Sequence, residues 1–159
     1  AVPSDRVIEK GDFVLMDYGA GYCDYRSDMT RTVVMGGPTQ EQLDLYALVR
    51  RTHEECVAAI HPGVEGNDIF KLSKKIIGDA GYGDYYNHGL GHGVGIDIHE
   101  LPNFNRSKNT IEIGSVVTME PGVYLPGVGG VRLEDYGVVT ENGYEPFTKT
   151  PHDLHVIDC

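Results

Sequence analysis

Five side chains that could bind a metal stand in or beside apolar, strand-like segments of this chain. They are Asp17, Asp28, His92, Glu120 and Glu134. Burying an ionised carboxylate is costly unless its pKa shifts or a cation neutralises it. Taken singly, each acid is weak support for a metal site, because an acid after a strand usually forms a turn or faces solvent.

Three histidines in one short stretch are a stronger indication. His88, His92 and His99 lie within residues 88–100, whose sequence is HGLGHGVGIDIHE. Its closely spaced glycines would each weaken a helix by about 1 kcal/mol. We therefore expect an extended or looped segment that carries histidines, not a helix.

The flanking segments predict strands on both sides of two helices. Residues 12–35 are rich in aromatic and β-branched side chains, and residues 111–147 read as strands broken by Pro-Gly and Asn-Gly pairs. Thr39 followed by Gln42 predicts a capping box and a helix to about His61. Asn67 or Asp68 is the predicted cap of a second helix. The order β-β-α-α-β-β predicts an α+β fold with mostly antiparallel strands. The first helix has helically spaced apolar residues at Leu43, Tyr46, Ala47, Val49, Cys56, Val57 and Ile60.

Composition excludes several classes of protein. The chain has 159 residues and a formal net charge of −11, which disfavours nucleic acid as a partner and is compatible with a cation site. It has no apolar run near the roughly 20 residues that cross a bilayer. Its three cysteines show no paired spacing. We expect free thiols, a cytoplasmic location and no membrane association.

Four separated segments together resemble one enzyme family. Besides HGLGHGVGIDIHE, they are DYGA at 17–20, SDMTRT at 27–32, and MEPGVY at 119–124 running on to VRLED at 131–135. The chain resembles the proline-specific metallopeptidases, the prolidase and Xaa-Pro aminopeptidase branch of the methionine-aminopeptidase-like family. That resemblance implies the pita-bread fold, with a curved, mostly antiparallel sheet flanked by helices.

The resemblance also implies a centre of two divalent metal ions. Asp17 would bind one ion, His92 and Glu120 the other, and Asp28 and Glu134 would bridge both. This oxygen-rich set suits manganese best, with cobalt, iron or zinc as alternatives.

The implied reaction is hydrolysis of an X–Pro bond, in a dipeptide or at a peptide N-terminus. A hydroxide shared by the two metals would attack the carbonyl, and Glu120 would serve as general base. His88 and His99 would hold the substrate and stabilise the tetrahedral intermediate. Arg132, two residues before Glu134, would bind a substrate carboxylate or carbonyl. The glycines of residues 88–100 would let the backbone pass close to substrate and metals.

Members of this family are longer than the present chain. We therefore expect residues 1–159 to be the C-terminal portion of a pita-bread catalytic domain, incomplete at its N-terminus. A face left uncovered would favour association with a second copy or with the N-terminal portion.

Other interpretations remain open at this point. A methionine aminopeptidase is the next choice among enzymes. A metal-free amidinohydrolase resembling creatinase, or a non-catalytic binding module on the same fold, would not need the complete ligand set.

Overall fold

The computed structural model describes residues 5–106 and 108–158. The prediction of a free thiol at Cys159 lies outside the described residues. Cys23 is exposed and Cys56 is buried, and both are free thiols.

Twelve strands and two helices make up the described chain. In chain order they are β1 (Phe13–Tyr18), β2 (Gly21–Tyr22), β3 (Tyr25–Arg26), β4 (Met29–Met35), α1 (Gln40–Ala58), α2 (Gly66–Asp79), β5 (Gly91–Gly93), β6 (Glu100–Phe104), β7 (Val116–Met119), β8 (Gly122–Leu125), β9 (Gly129–Arg132), β10 (Asp135–Thr140), β11 (Gly143–Pro146) and β12 (His155–Ile157).

Two larger sheets carry the fold. Strand β4 pairs antiparallel with β1 on one side and parallel with β12 on the other. The second sheet has the order β11-β10-β7-β5-β6, and every pairing in it is antiparallel. Strands β8 and β9 form a separate hairpin. The α+β arrangement predicted from the sequence is confirmed, and β12 is an element that the sequence analysis did not predict.

The first helix begins as predicted, but not all of its helically spaced apolar residues are buried. Thr39 Oγ1 accepts a hydrogen bond from the backbone N–H of Gln42, whose side chain returns one to Thr39, so the capping box is present. The helix ends at Ala58, three residues before His61. Leu43, one of the helically spaced apolar residues, is exposed, whereas Leu45 is fully buried.

The second helix starts slightly earlier than predicted. Its N-cap is Glu65, with no side-chain hydrogen bond to the helix, and neither Asn67 nor Asp68 is the cap. Gly66 fits this start because its backbone passes the Asn103 carbonyl so closely that a Cβ would lie 2.3 Å from that oxygen. Backbone contact thus determines the helix start here.

The hydrophobic core lies where α1 and α2 meet the five-stranded sheet and the β8–β9 hairpin. Leu45, Ile77, Phe104, Met119 and Leu133 are among its fully buried members. The core holds the ends of β5, β7 and β9 in fixed positions. Among the described residues, no helix is long and apolar enough to cross a bilayer.

Candidate metal centre

Three predicted ligands come from three neighbouring strands. His92 lies in β5, Glu120 directly follows β7, and Glu134 directly precedes β10. These strands are adjacent in the order β10-β7-β5, and the backbone N–H of Glu120 donates to the Leu90 carbonyl at 2.7 Å. Both glutamates and the imidazole therefore lie close together, in or beside three adjacent strands.

The remaining two ligands come from the three-stranded sheet. Asp17 lies in β1 opposite Thr30 of β4, and Asp28 directly precedes β4. The backbone N–H of Glu134 donates to the Thr30 carbonyl at 3.0 Å, which joins the two sheets at this point. The junction brings two aspartates and two glutamates, 92 to 117 residues apart in the chain, to one place.

All five predicted ligands line one cavity of about 570 Å³. His92 Nε2 lies 3.7 Å from Asp28 Oδ2 and 3.6 Å from Glu120 Oε1. Donor atoms of Asp28, His92 and Glu134 all lie within 4.8 Å of one another. Such spacing lets a single cation contact several donors at once.

Asp17 is more exposed than the other four predicted ligands. Its side chain is 54% exposed and forms an ion pair with the Arg132 guanidinium. Arg132 also donates to the hydroxyls of Tyr124 at 3.2 Å and Thr30 at 3.0 Å. Its Nε lies 3.9 Å from Glu120 Oε2. Arg132 thus supplies positive charge next to the acids.

The buried acids show the electrostatic signature of a cation site. Desolvation, and next the charge of Glu120, raises the pKa of Glu134 to about 8. Desolvation also raises the pKa of Glu120 to about 7, against the lowering effect of Arg132 and with a further rise from Asp28. Burial and the neighbouring Asp17 raise the pKa of Asp28. Divalent cations would relieve this repulsion, so the residues fit a metal centre.

The imidazole of His92 is held in the orientation that metal ligation needs. Its Nδ1 lies 3.0 Å from the Gly93 carbonyl, and Nε2 points towards Asp28 and Glu120. A hydrogen bond at Nδ1 places the proton there and leaves the Nε2 lone pair for a metal. Burial lowers the pKa of His92, which favours the neutral form that ligates.

Thr30 is a functional neighbour that the sequence analysis missed. Its fully buried hydroxyl donates to Glu134 Oε2 at 2.6 Å and accepts from Arg132 Nε at 3.0 Å. It lies two residues after Asp28, and that spacing places alternate residues of an extended chain on one face. This periodicity could have identified it.

His88 and His99 lie at the rim of the candidate centre. The exposed His99 ring lies against the His92 ring with centroids 4.2 Å apart and an angle of 54° between the ring planes. His88 Nε2 lies 3.1 Å from the Tyr124 hydroxyl. Both histidines line a second cavity that also reaches His92, Glu120 and Arg132. The predicted substrate-binding residues therefore face one continuous space next to the acids.

The glycines of β5 let the neighbouring strands come close, and the predicted close passage of the backbone to substrate and metals stays a prediction. A Cβ on Gly91 would lie 2.2 Å from the Thr118 carbonyl oxygen, and one on Gly93 would lie 2.7 Å from that of Leu101. The close approach is to the neighbouring strands β7 and β6. These glycines let three strands pack tightly and set where His92 stands.

Known proteins resemble this chain over nearly its whole length. The family model for metallopeptidase family M24 matches residues 1–141. An Xaa-Pro dipeptidase of Pyrococcus furiosus is 45% identical over 154 residues, which is 96% of this chain and 44% of that protein. The chain thus spans less than half the length of this relative.

Solved structures agree with the sequence match. The prolidase from Pyrococcus horikoshii OT3 has a TM-score of 0.92 and 42% identity, covering 95% of this chain and 44% of that one. An X-Pro aminopeptidase from Thermotoga maritima MSB8 has a TM-score of 0.93 and 35% identity, covering 97% and 44%. The predicted pita-bread fold is confirmed. By both sequence and structure, the chain belongs to metallopeptidase family M24.

Proposed function

We propose that the protein containing this chain is a hydrolase that cleaves X–Pro peptide bonds, in dipeptides or at peptide N-termini, with two divalent metal ions. The observation that carries the proposal is that five ligands, dispersed over nearly 120 positions, line one cavity. Relatives named Xaa-Pro dipeptidase and prolidase support the choice of substrate.

The metal ions would be held by Asp17, Asp28, His92, Glu120 and Glu134. When bound, two cations supply Lewis acidity towards the carbonyl and lower the pKa of a water molecule. Four carboxylates and one imidazole favour manganese over a softer metal, with cobalt, iron or zinc as alternatives.

Glu120 is the residue suited to move the proton. A carboxylate oxygen can take up a proton and release it again, and Glu120 lines the cavity with Oε1 3.6 Å from His92 Nε2. It would accept the proton of the attacking water and then deliver it to the leaving proline nitrogen. Arg132, 3.9 Å from Glu120, would lower the free energy of the ionised carboxylate between turnovers.

The rim residues would bind and orient the peptide. His88 and His99 would hold the substrate next to the metal centre as the tetrahedral intermediate forms. Burial lowers the pKa of His88, and its Nδ1 lies 2.7 Å from the Gly89 carbonyl, so the neutral ring carries its proton at Nδ1 and accepts at Nε2, 3.1 Å from the Tyr124 hydroxyl. Arg132 Nη1 and the Tyr124 hydroxyl would contact a substrate carboxylate or carbonyl.

The test is hydrolysis by the intact, Mn²⁺-loaded protein. We expect cleavage of an alanyl-proline substrate, no cleavage of the alanyl-alanine analogue, and a loss well over 100-fold in kcat for Glu120→Gln. Glu112→Gln, at an exposed glutamate that lines neither of the two cavities, is the matched control and should retain full rate. Cleavage of methionyl but not prolyl peptides would reassign the branch, and no cleavage of either would favour a binding module.

Association with a second copy or with an N-terminal portion stays a prediction, as does the cytoplasmic location. Met16 and Tyr18 support association, because they are exposed apolar side chains on β1, an edge strand of its sheet. Sedimentation of the intact protein as a stable monomer would argue against a homo-oligomer.

A further inference from the structure

A second cluster of potential ligands lies outside the candidate centre. His53 of α1, Asp135 of β10 and His152 of the segment before β12 form what we call the His53 cluster. His53 Nε2 is 3.5 Å and His152 Nε2 is 2.7 Å from the same oxygen, Asp135 Oδ2. Donor atoms of all three lie within 4.8 Å of one another.

His53 is the unexplained member of this cluster. The residue is 2% exposed, and neither ring nitrogen has a hydrogen-bond partner among the described residues. A buried polar group left without a partner costs about 1–3 kcal/mol. Its Nε2 faces Asp135 Oδ2, beyond hydrogen-bond distance but close enough for one atom to contact both.

One carboxylate oxygen of Asp135 is bound by Arg31, and the other faces the two histidines of the cluster. Arg31 Nη2 donates to Oδ1 at 2.7 Å and leaves Oδ2 facing the two imidazoles. Arg31 is also fixed by the carbonyls of Glu134 at 2.6 Å and Thr150 at 2.8 Å. The guanidinium therefore holds the carboxylate in place, as residues behind a metal ligand commonly do.

We propose that the His53 cluster is a second metal site, separate from the dinuclear centre, that binds one divalent transition metal of the zinc class through His53 Nε2, Asp135 Oδ2 and His152 Nε2. Two imidazoles and a carboxylate are a usual protein ligand set for zinc, with water in the fourth position. His152 is 24% exposed, which gives the ion and the water a route from solvent.

The distances fit such an ion with little rearrangement. Zinc–ligand bonds of about 2 Å in a tetrahedron place the donor atoms roughly 3.3 Å apart. The 3.5 Å spacing from His53 to Asp135 matches this value. The 2.7 Å spacing from His152 must open by roughly half an ångström. The proton that His152 donates to Asp135 would leave to solvent as the ion binds.

The site is distinct from the candidate centre although Asp135 follows Glu134 in the chain. Glu134 lines the cavity of the four acids and the imidazole, whereas Asp135 does not line it. The two carboxylates therefore belong to different sites. A metal at the His53 cluster would hold α1, β10 and the C-terminal segment together. Its role would be structural.

The experiment counts bound zinc. The intact protein is stripped with a chelator, dialysed against Zn²⁺ and analysed for tightly held metal, as wild type, His152→Ala and His155→Ala. His155 is a nearby exposed histidine outside the cluster and is the matched control. We expect His152→Ala to hold one equivalent fewer than wild type, and His155→Ala to hold the wild-type number.

A measurement on the unaltered protein covers the case in which His152→Ala fails to fold. In ¹⁵N-histidine NMR spectra, saturating Zn²⁺ should shift the Nε2 resonances of both His53 and His152. Equal zinc content in wild type and folded His152→Ala, or unmoved His53 and His152 resonances, would overturn the proposal.

Discussion

Thr30 controls the carboxylate of Glu134 through one short, buried hydrogen bond of 2.6 Å. Held in this way, Glu134 lines the cavity that Asp28 and His92 share. Groups that hold a metal ligand typically change metal affinity by 10–100-fold when removed. Among the groups that hold the predicted metal ligands, the Thr30 hydroxyl is therefore the most informative one to remove.

Thr30→Val removes that hydroxyl at almost constant volume. We expect the affinity for Mn²⁺, measured by isothermal titration calorimetry, to fall roughly 10–100-fold because Glu134 loses its fixed orientation. Thr30→Ser, which keeps the hydroxyl, should restore most of it.

Thr52→Val is the matched control, since Thr52 is equally buried and, within residues 5–106 and 108–158, its hydroxyl donates only to the Leu48 carbonyl of α1. An equal loss of Mn²⁺ affinity in Thr52→Val would show that any buried threonine change has this effect.

The motifs predicted the site residues that stand within them. No sequence pattern predicted residues that only the fold brings together. The five ligands, His88, His99 and Arg132 stand in the four segments that resemble the family. His53 and His152 are 99 residues apart and meet only because α1 and the C-terminal segment pack beside β10. No local pattern marks such a pair.

The elements depend on close backbone contact between β5 and β7. Gly91 lies against the Thr118 carbonyl, and the Thr118 hydroxyl accepts from the His92 backbone N–H at 3.0 Å. A side chain inserted here would push apart the strands that carry His92 and Glu120.

Gly91→Ala tests this contact. The new Cβ would lie 2.2 Å from a backbone oxygen, so the strands must separate, at a cost of about 1–3 kcal/mol. We expect a lower free energy of unfolding in urea and weaker Mn²⁺ binding.

Gly78→Ala in α2, where a Cβ would meet no described atom within 4 Å beyond the local helix backbone, is the control and should stabilise by about 0.5–1 kcal/mol. Unchanged stability and unchanged Mn²⁺ affinity for Gly91→Ala would contradict the proposed packing role.

Local signals predicted most elements and failed where long-range pairing decides. The Thr39–Gln42 capping box identified the start of α1, because that interaction involves only neighbouring residues. Strand β12 was missed since its three residues gain strand geometry by pairing with Val33–Met35, over 100 positions away. Leu43 is exposed although it shares the helical spacing of buried residues, because apolar residues occur around much of α1.

The molecule as a whole carries acids that the folded state, without metal, keeps protonated to unusually high pH. Glu134 and Glu120 have folded pKa values of about 8 and about 7, both raised by burial above the ordinary 4.5. Such groups stabilise the fold fully below their unfolded pKa, and this contribution is lost as the pH rises through 7 and 8.

The metal-free protein should therefore become less stable between pH 5 and pH 8. Each unit of pKa shift corresponds to about 1.4 kcal/mol, so the loss should amount to several kcal/mol. Urea unfolding of chelator-treated protein at both pH values measures it. Glu134→Gln, which cannot ionise, should show a smaller decrease, and added Mn²⁺ should restore stability at pH 8. A metal-free protein that is as stable at pH 8 as at pH 5 would be inconsistent with these pKa values.

The most direct test of the dinuclear centre is X-ray diffraction from Mn²⁺-loaded crystals of the intact protein, collected at the manganese absorption edge. We expect two anomalous peaks roughly 3.5–4 Å apart in the cavity that the five predicted ligands line. Asp17, Asp28, His92, Glu120 and Glu134 should surround them. The absence of any peak among these residues at saturating Mn²⁺, or a single peak ligated by other side chains, would contradict it.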